Sequence, residues 1–268
     1  NGLDMGLFEL AAYGGSSFGS ALGGYLAAGS GLRYPFYVIL ALSGVGAATG
    51  FFIIPETRSL EKEEKEAVRE GSKEYVDAIK RLVPLYIAGF SSKIMDSLLW
   101  SFLPLLLIGL PMSITEVTVI TSAFTFSWAL SQPLTGYVSD NLGRKSIILV
   151  GLFSAAVSIL PFTLTRNFFL LVVLALVLGV EAALFYTPLV AMVSDIAPSA
   201  LEGTLVGSYR FFRDMGYFVG PILLGAIADI YGLDYSFYVT SLSLLIATLV
   251  LYLTTKETLT TGIQKAEN

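Results

Sequence analysis

Charged residues are absent from long stretches of this chain, and these uncharged runs predict its helices. A helix of about 20 apolar residues crosses the roughly 30 Å hydrocarbon core of a lipid bilayer. Six runs without Asp, Glu, Lys or Arg have that length: 10–32, 34–55, 97–115, 117–139, 146–165 and 235–255. Two further regions, 167–194 and 203–229, qualify apart from a few embedded charges. The pattern predicts an all-α integral membrane protein with eight transmembrane helices.

The composition favours the same class of protein. Of the 268 residues, 54% are hydrophobic and 14% are charged, whereas soluble domains carry about 25% charged residues. The mean hydropathy is +0.73. The chain contains neither Cys nor His, which excludes disulfides, thiol chemistry and Cys-ligated metals and leaves carboxylates as the expected proton carriers. We expect no metal site, no cofactor and no nucleic-acid partner.

The basic residues are distributed unevenly between the two predicted sides of the membrane. Only Arg33 and Arg166 fall in one set of loops, which lies near 29–35, 110–115, 165–167 and 230–235. The other loops and the C-terminal tail carry eleven basic residues. By the positive-inside rule, this asymmetry predicts a multi-pass protein of the cell membrane with both ends of the chain cytoplasmic.

Residues 60–81 form the longest polar stretch, with six basic and seven acidic residues. Val68, Tyr75, Ile79 and Leu82 recur at helical spacing, so we expect an amphipathic cytoplasmic linker that is mostly helical. A lipid-binding switch would need a cluster of basic residues whose charge no acidic residues balance. In this segment the acidic residues balance the basic charge. We therefore divide the chain into a helix pair, the linker, a six-helix half and a cytoplasmic tail: 1–54, 55–81, 82–258 and 259–268.

The chain repeats itself at an offset of 201 residues, without gaps. Fifteen positions between 1 and 57 are identical in the second copy, including Glu56-Thr57, which matches Glu257-Thr258. Each copy is a predicted helix pair in the same orientation, and parallel repeats of this kind are typical of transporters built from two similar halves. Because a long linker follows the first copy, the copies are expected to be the last two helices of each half. On this interpretation the first half lacks its opening four helices, and the chain, which begins at Asn1, is a clipped or partial one.

A short polar loop between the fourth and fifth predicted helices carries the first recognisable motif. It contains Gly136, Asp140, Gly143, Arg144 and Lys145 in the order G-x3-D-x2-G-R-K. This order resembles the signature of the major facilitator superfamily, which lies between the second and third helices of each half. The resemblance implies a gating loop. The alternative is a tight cytoplasmic turn with basic residues that hold it on that side of the membrane, but such a turn does not require Asp140.

Glycines of the first predicted helix form a second motif, and the repeat carries a copy of it. The first copy resembles the antiporter signature of the superfamily's fifth helix, although Ser20 stands where that signature has Pro, and the second copy keeps the Pro at 221 but has one Gly fewer. The functional interpretation of these residues is a role in sealing the cavity against ion leak. The alternative is that small residues let neighbouring helices pack closely. The residues of the motif and its copy are Gly6, Gly15, Gly19, Ser20, Gly23 and Gly24, and Gly207, Gly216, Gly220, Pro221 and Gly225.

The resemblance covers nearly the whole chain. It is strengthened by Pro55-Glu56-Thr57-Arg58, which resembles the box often found after the sixth helix of the superfamily. It implies that the eight predicted helices are the fifth to twelfth of a twelve-helix transporter, a helical bundle with parallel pseudo-twofold repeats.

Several charged residues lie inside predicted helices, where charge is costly and usually marks a functional pathway. Asp96 follows Lys93 by three residues, a spacing that allows an ion pair on one helix face. The resemblance places this pair in the seventh helix and Glu181 in the tenth, both of which line the central cavity in the superfamily. A purely structural role for the pairs is the alternative. The full set of candidates is Lys93, Asp96, Glu181, Arg210, Arg213, Asp214 and Glu9, the repeat equivalent of Arg210.

These features predict a secondary active transporter that moves a small organic solute by alternating access, with efflux in exchange for protons as the expected direction. Asp96 and Glu181 are the expected proton carriers, whereas Lys93, Arg210 and Arg213 are expected to attract an anionic group. The candidates for an aromatic wall are Tyr86, Phe90, Trp100, Phe124, Trp128, Phe185 and Tyr186.

Two other functions remain open on the sequence alone. One is proton- or ion-coupled uptake of a small metabolite, and the other is a membrane sensor that has a transporter fold but moves no solute. An enzyme is disfavoured because there is no His, no Cys, no phosphate-binding loop and no Ser–base arrangement. The expected partners are the solute, a coupling ion and the lipid bilayer, and the complete protein is expected to be a monomer.

The resemblance also predicts a latch. In the superfamily, the acid of the loop signature meets the start of a helix from the opposite half. Because a helix N-terminus carries roughly half a positive charge, Asp140 is expected to contact the start of the first predicted helix, at residues 1–6, with Arg144 holding the acid in place.

Overall fold

The protein is described by a computed structural model at residues 6–7, 10–12, 14–15, 19, 22, 26, 31, 33–53 and 72–259. All regular elements within these residues are helical. We number the helices in chain order: α1 Tyr34–Ile53, α2 Ser72–Ser97, α3 Leu103–Ile108, α4 Ile114–Leu142, α5 Arg144–Ser158, α6 Pro161–Leu164, α7 Phe168–Ile196, α8 Glu202–Tyr231 and α9 Leu233–Thr254. The predicted all-α fold is confirmed.

Among the described residues, six continuous helical segments are long and apolar enough to cross a membrane: Tyr34–Ile53, Tyr75–Ile108, Arg144–Leu164, Phe168–Ile196, Glu202–Tyr231 and Leu233–Thr254. A seventh long helix, α4, has 29 residues and is more polar. Together they account for seven of the eight predicted spans, although the segment predicted at 97–115 runs from Tyr75 to Ile108. The predicted span 10–32 lies largely outside the described residues, although its described positions from 10 to 26 are helical.

α2 begins at Ser72, ten residues before the predicted start of the six-helix half. Its first turns continue into the membrane helix without a break because Tyr75, Ala78 and Ile79 already pack against the hydrophobic core. Residues 54–71, most of the predicted linker, lie outside the described residues. A five-residue π-helical turn, Leu98–Phe102, joins α2 to α3 and keeps the two as one long helical segment.

The core lies between two groups of helices. α7 packs against α4 and α5, and α8 packs along α2. α9 links the groups, since it contacts α5, α2 and α8. The side chains of α1, by contrast, include no buried residue.

The two copies of the repeat share an unusual turn. Gly31 and Gly232, which are 201 residues apart, adopt positive φ angles of 101° and 103°. In each copy the glycine carbonyl accepts a hydrogen bond of 3.2 Å from the amide three residues later, that of Tyr34 or Tyr235. A residue with a Cβ rarely adopts this conformation. The two copies therefore share a backbone conformation as well as a sequence.

Glycines of the second copy allow α8 to lie directly against α2. A Cβ atom at Gly216 would fall 2.5 Å from the Phe90 carbonyl oxygen, and one at Gly220 would fall 2.8 Å from Ser97 Oγ. Both distances are too short for real contacts, so these two glycines serve close helix packing. Gly207 and Gly225 are less constrained: of the described residues, none lies within 4 Å of a Cβ at Gly207, and the Phe102 ring alone approaches one at Gly225.

The first copy differs among its described glycines. A Cβ at Gly6 would fall 2.6 Å from the Gln132 carbonyl oxygen, so this part of the chain lies against α4. Gly15 and Gly19 have open space around them within the described part of the chain. Ser20, Gly23 and Gly24 lie outside the described residues.

We expect the substitution Gly216→Ala to lower the free energy of unfolding by about 1–3 kcal/mol, because α8 must move away from the α2 backbone. The matched control is Gly207→Ala on the same helix, which places the same methyl group in open space and is expected to be neutral or to stabilise by up to about 1 kcal/mol. Thermal unfolding in detergent measures both. Equal unfolding midpoints for the two variants would contradict the packing role of Gly216.

Candidate functional site

A buried ion pair on α2 lies at the centre of the candidate site. Lys93 Nζ is 2.6 Å from Asp96 Oδ2, and the two residues expose 1% and 3% of their surface. The three-residue spacing that predicted this pair places both side chains on one face of the helix. Within the described residues, Asp96 is the one carboxylate that pairs with Lys93.

Aromatic rings from three other helices surround the Lys93 ammonium. Its Nζ lies 4.5 Å from the ring centroid of Tyr186 on α7, 4.8 Å from that of Tyr217 on α8 and 6.0 Å from that of Trp128 on α4. These distances are within the range of cation–π attraction. We call Asp96, Trp128, Tyr186 and Tyr217 the ammonium cage.

Hydrogen bonds close the ammonium cage on one side. Lys93 Nζ donates to the Tyr217 hydroxyl at 3.2 Å, and that hydroxyl donates to Asp96 Oδ2 at 3.0 Å. Tyr217 therefore contacts both members of the ion pair. Because Tyr217 belongs to α8 and the ion pair to α2, the geometry of the Lys93–Asp96 pair depends on how α8 packs against α2.

Two glycines bring the helices of the cage close enough to form it. Gly216 precedes Tyr217, and a Cβ in its place would lie 2.6 Å from Lys93 Cβ. On α7, a Cβ at Gly179 would lie 2.8 Å from the amide nitrogen of Trp128. This close approach of α7 to α4 allows the Trp128 and Tyr186 rings to meet edge to face, with centroids 5.3 Å apart.

A second cation lies beside Tyr186. The guanidinium carbon of Arg213 is 5.5 Å from the Tyr186 ring centroid, and Nη1 donates to the Tyr186 hydroxyl at 3.3 Å. Arg213 is buried, and its Nε donates to Asp214, which is half exposed, at 2.8 Å. Two positive charges thus lie near the ring of Tyr186, and each of them has its own carboxylate. Arg210 is partly buried, and Glu9 lies outside the described residues.

Glu181 lies apart from this cluster. Its Oε1 accepts a hydrogen bond of 2.9 Å from Ser158 on α5, so its carboxylate points between α5 and α7. Tyr186 follows five residues later, which is about 140° further round the helix at 3.6 residues per turn, and it faces Lys93. The structure does not bring the two predicted proton carriers, Asp96 and Glu181, together.

Some of the predicted aromatic wall residues lie around Lys93, and their role in lining a solute cavity stays a prediction. Trp128 and Tyr186 belong to the ammonium cage, and Phe124 stacks on Trp128 with centroids 5.9 Å apart. Phe185 and Tyr86 are buried in the core, whereas Trp100 exposes about half of its surface.

Sequence analysis missed Tyr217 and Gln132. Tyr217 follows Tyr209 and Arg213 at four-residue intervals, and this polar stripe on an otherwise apolar helix was an available signal. Gln132, inside α4, is fully buried and accepts a hydrogen bond from Thr187. A buried amide in a membrane helix was a signal of the same kind.

The loop signature forms a charge cluster at the turn between α4 and α5. The Arg144 side chain is 3% exposed and contacts Asp140 through Nη1 at 2.9 Å. Its Nε donates to Asp195 at the end of α7. Gly143, at the turn itself, has a φ of 97°, which favours glycine. Gly136, one turn before Asp140 in α4, is buried, and its carbonyl accepts from Ser139 Oγ at 2.8 Å.

Glu257 caps the start of α5. It follows α9, and its two carboxylate oxygens accept hydrogen bonds from the backbone amides of Arg144 and Lys145 at 2.9 Å and 3.0 Å. An anion at this position also favours the positive end of the helix. Lys145 in turn donates to the Tyr252 carbonyl oxygen at 2.9 Å. The sequence repeat had drawn attention to Glu257, which matches Glu56, but the offset between the two copies does not show that Glu257 contacts this turn.

The predicted contact of Asp140 with residues 1–6 concerns positions of which only Gly6 is described. Gly6 lies against Gln132 and Pro133, about two turns before Asp140 in α4. Gly6 is therefore close to α4, whereas the contact of Asp140 with residues 1–6 stays a prediction.

Comparison with known proteins agrees with this architecture. The sequence profile of the Major Facilitator Superfamily matches residues 85–268. The Quinolone resistance protein NorA of Staphylococcus aureus is 27% identical over 190 residues, which is 70% of this chain and 49% of that protein. The Uncharacterized MFS-type transporter MJ1560 of Methanocaldococcus jannaschii is 27% identical over 139 residues, which is 52% of this chain and 36% of that relative.

The chain thus spans about half the length of the NorA proteins it matches. The profile covers more than half of this chain, including the loop signature, the ammonium cage and the second copy of the repeat. It confirms the family predicted from the motifs. The chain belongs to the Major Facilitator Superfamily, whose members are membrane transporters and not enzymes.

Proposed function

We propose that the protein is a secondary active transporter that exports a small organic solute in exchange for protons. The observation that carries this proposal is the Lys93–Asp96 ion pair, which is buried among four helices and enclosed by aromatic rings. Ionisable residues inside a membrane bundle are costly and mark substrate or ion pathways. The names of the NorA relatives refer to resistance to quinolones, which are small organic compounds.

The ion pair supports exchange because its single carboxylate can neutralise one cation at a time. The Lys93 ammonium, which carries the proton, and a positively charged solute group compete for this charge. Competition between proton and solute for one site is the requirement for antiport. Arg213, and Arg210 one turn before it, supply positive charge for an anionic group on the same solute.

Glu181 is proposed as a second proton carrier, separate from the solute site. Its carboxylate is buried and contacts Ser158 on a neighbouring helix, so gain or loss of a proton there changes how α7 packs on α5. We further propose that the α4–α5 turn and both ends of the chain lie on the cytoplasmic side, in keeping with the distribution of basic residues.

Transport in proteoliposomes tests the function. We expect an inward proton gradient to accelerate efflux of a fluorescent organic solute. We expect Glu181→Gln to reduce this acceleration by about 5- to 150-fold, the range of ordinary coupling free energies, while the unfolding midpoint changes little. The control Asp77→Asn neutralises an exposed acid of α2 that pairs with Lys80, and coupling should persist.

Normal proton-driven efflux in the Glu181→Gln variant would remove Glu181 as a carrier. Acceleration by a proton gradient directed with the solute would indicate uptake by symport. Absence of flux for every solute that binds would indicate a sensor.

Asp140 is proposed to stabilise the state that is closed to the cytoplasm, with Arg144 holding the acid in place. A helix-terminal contact of this kind contributes about 0.3–2 kcal/mol, so Asp140→Asn should shift the population toward the inward-open state by about 2- to 30-fold. Spin-label distances across the cytoplasmic mouth measure the shift. Asp77→Asn, at an exposed acid of α2 that pairs with Lys80, is the matched control. An unchanged distance distribution in Asp140→Asn would refute the latch.

A further inference from the structure

We propose that the Lys93 ammonium is an internal stand-in for a transported organic monocation, and that Lys93 itself releases the exchanged proton. In the described state Lys93 fills the ammonium cage. When a substrate cation enters, Lys93 loses a proton, its neutral amine leaves the cage, and the cation takes its place. This inference rests on the proposed antiport and names its substrate class and the group that exchanges the proton.

The cage has the chemistry of a site for an organic cation. Two tyrosine rings lie within 5 Å of the Lys93 nitrogen, a tryptophan ring lies at 6.0 Å, and a carboxylate oxygen lies at 2.6 Å. Aromatic faces combined with one negative charge are how proteins recognise ammonium groups, quaternary ones included. The four contacts come from four different helices, so the cage is assembled by the tertiary fold and does not follow from the local spacing of Lys93 and Asp96.

Within the part of the chain that the structure describes, the charges around the cage leave room for one cation only. α2 provides Asp96, α7 provides Tyr186, and α8 provides Tyr217. Trp128, from α4, has no titratable group. Arg213 on α8 lies beside Tyr186 and pairs with Asp214, so it does not use the charge of Asp96. α9 also packs on α2, but its one charged residue is Asp234, in its first turn.

A second cation in the cage would therefore leave one positive charge buried and unpaired. Separating a buried ion pair in this way is strongly unfavourable. Lys93 avoids the penalty by giving its proton to water: the ammonium becomes a neutral amine, and Asp96 keeps its negative charge and pairs with the substrate. One positive charge enters as one proton leaves, so the exchange is one to one and conserves the charge of the site.

Lysine can perform this exchange and arginine cannot, because the guanidinium group of arginine stays protonated in proteins. This difference provides opposite variants at the same position. Lys93→Met leaves the cage permanently without its ammonium, whereas Lys93→Arg keeps a permanent positive charge next to Asp96.

The experiment uses the purified protein in detergent and benzyltrimethylammonium, a quaternary monocation that has no proton to exchange. In the wild type we expect affinity for this cation to rise about tenfold for each unit of pH, because one proton leaves per cation bound. Calorimetry in buffers with different ionisation enthalpies should count one proton released. Lys93→Met should bind the cation with no proton release and no dependence on pH, and more tightly than the wild type at acidic pH.

Lys93→Arg should bind the cation at least about tenfold more weakly than the wild type at alkaline pH, since its charge never leaves. Lys80→Met is the matched control. Lys80 also pairs with an aspartate three residues away, but both side chains are exposed, and its removal should change neither affinity nor proton release.

Two results would overturn the proposal: proton release that persists in Lys93→Met, which would assign the proton to a carboxylate, or wild-type affinity in Lys93→Arg. If Lys93→Met fails to fold, Lys93→Arg decides alone, because it keeps the ion pair. Failure of the proposed function is distinguishable. Proton-linked binding without any flux in proteoliposomes would refute transport and leave the role of Lys93 intact. Proton-driven flux that is undiminished in Lys93→Met would support transport and refute the role of Lys93.

Discussion

The close contact between α2 and α8 is the constraint on which the rest of the site depends. Gly216 lets the backbone of α8 reach the Phe90 carbonyl and the Lys93 side chain, and its neighbour Tyr217 then contacts both charges of the ion pair. In a bilayer, helices gain little from hydrophobic attraction, so association depends on close packing and on polar contacts between them. At this interface close packing and polar contacts occur together, because Gly216, which permits the close approach, is followed directly by Tyr217, which contacts the ion pair.

The charge cluster at the α4–α5 turn connects several helices at the edge of the bundle. Arg144 joins the end of α4 to the end of α7 through Asp140 and Asp195. Glu257 adds the segment after α9 by capping the amides that begin α5. Three carboxylates from three parts of the chain thus converge on one turn, so any motion of these helices relative to one another must break a charge-assisted hydrogen bond, which is stronger than a neutral one.

The sequence predicted what depends on one helix at a time. Uncharged runs of 20 residues gave the membrane spans, because every charge inside a bilayer is costly. The Lys93–Asp96 pair followed from its spacing. What it could not give is which face of one helix meets which face of another. That is why Trp128 and Tyr217 were not linked to Lys93, why Glu181 was placed with Asp96 although it faces Ser158, and why Glu257 was noticed but given no partner.

The π-helical turn between α2 and α3 has a consequence for comparisons among relatives. A π turn accommodates one more residue than an α turn, so the bulge at Leu98–Phe102 is equivalent to a single inserted residue. Its effect is to rotate α3 by about 100° relative to the part of α2 that carries Lys93. A relative without the bulge will align correctly only if a one-residue gap is placed inside a membrane helix. Without that gap, every residue from Leu103 to Ile108 would be matched to a side chain on the wrong face.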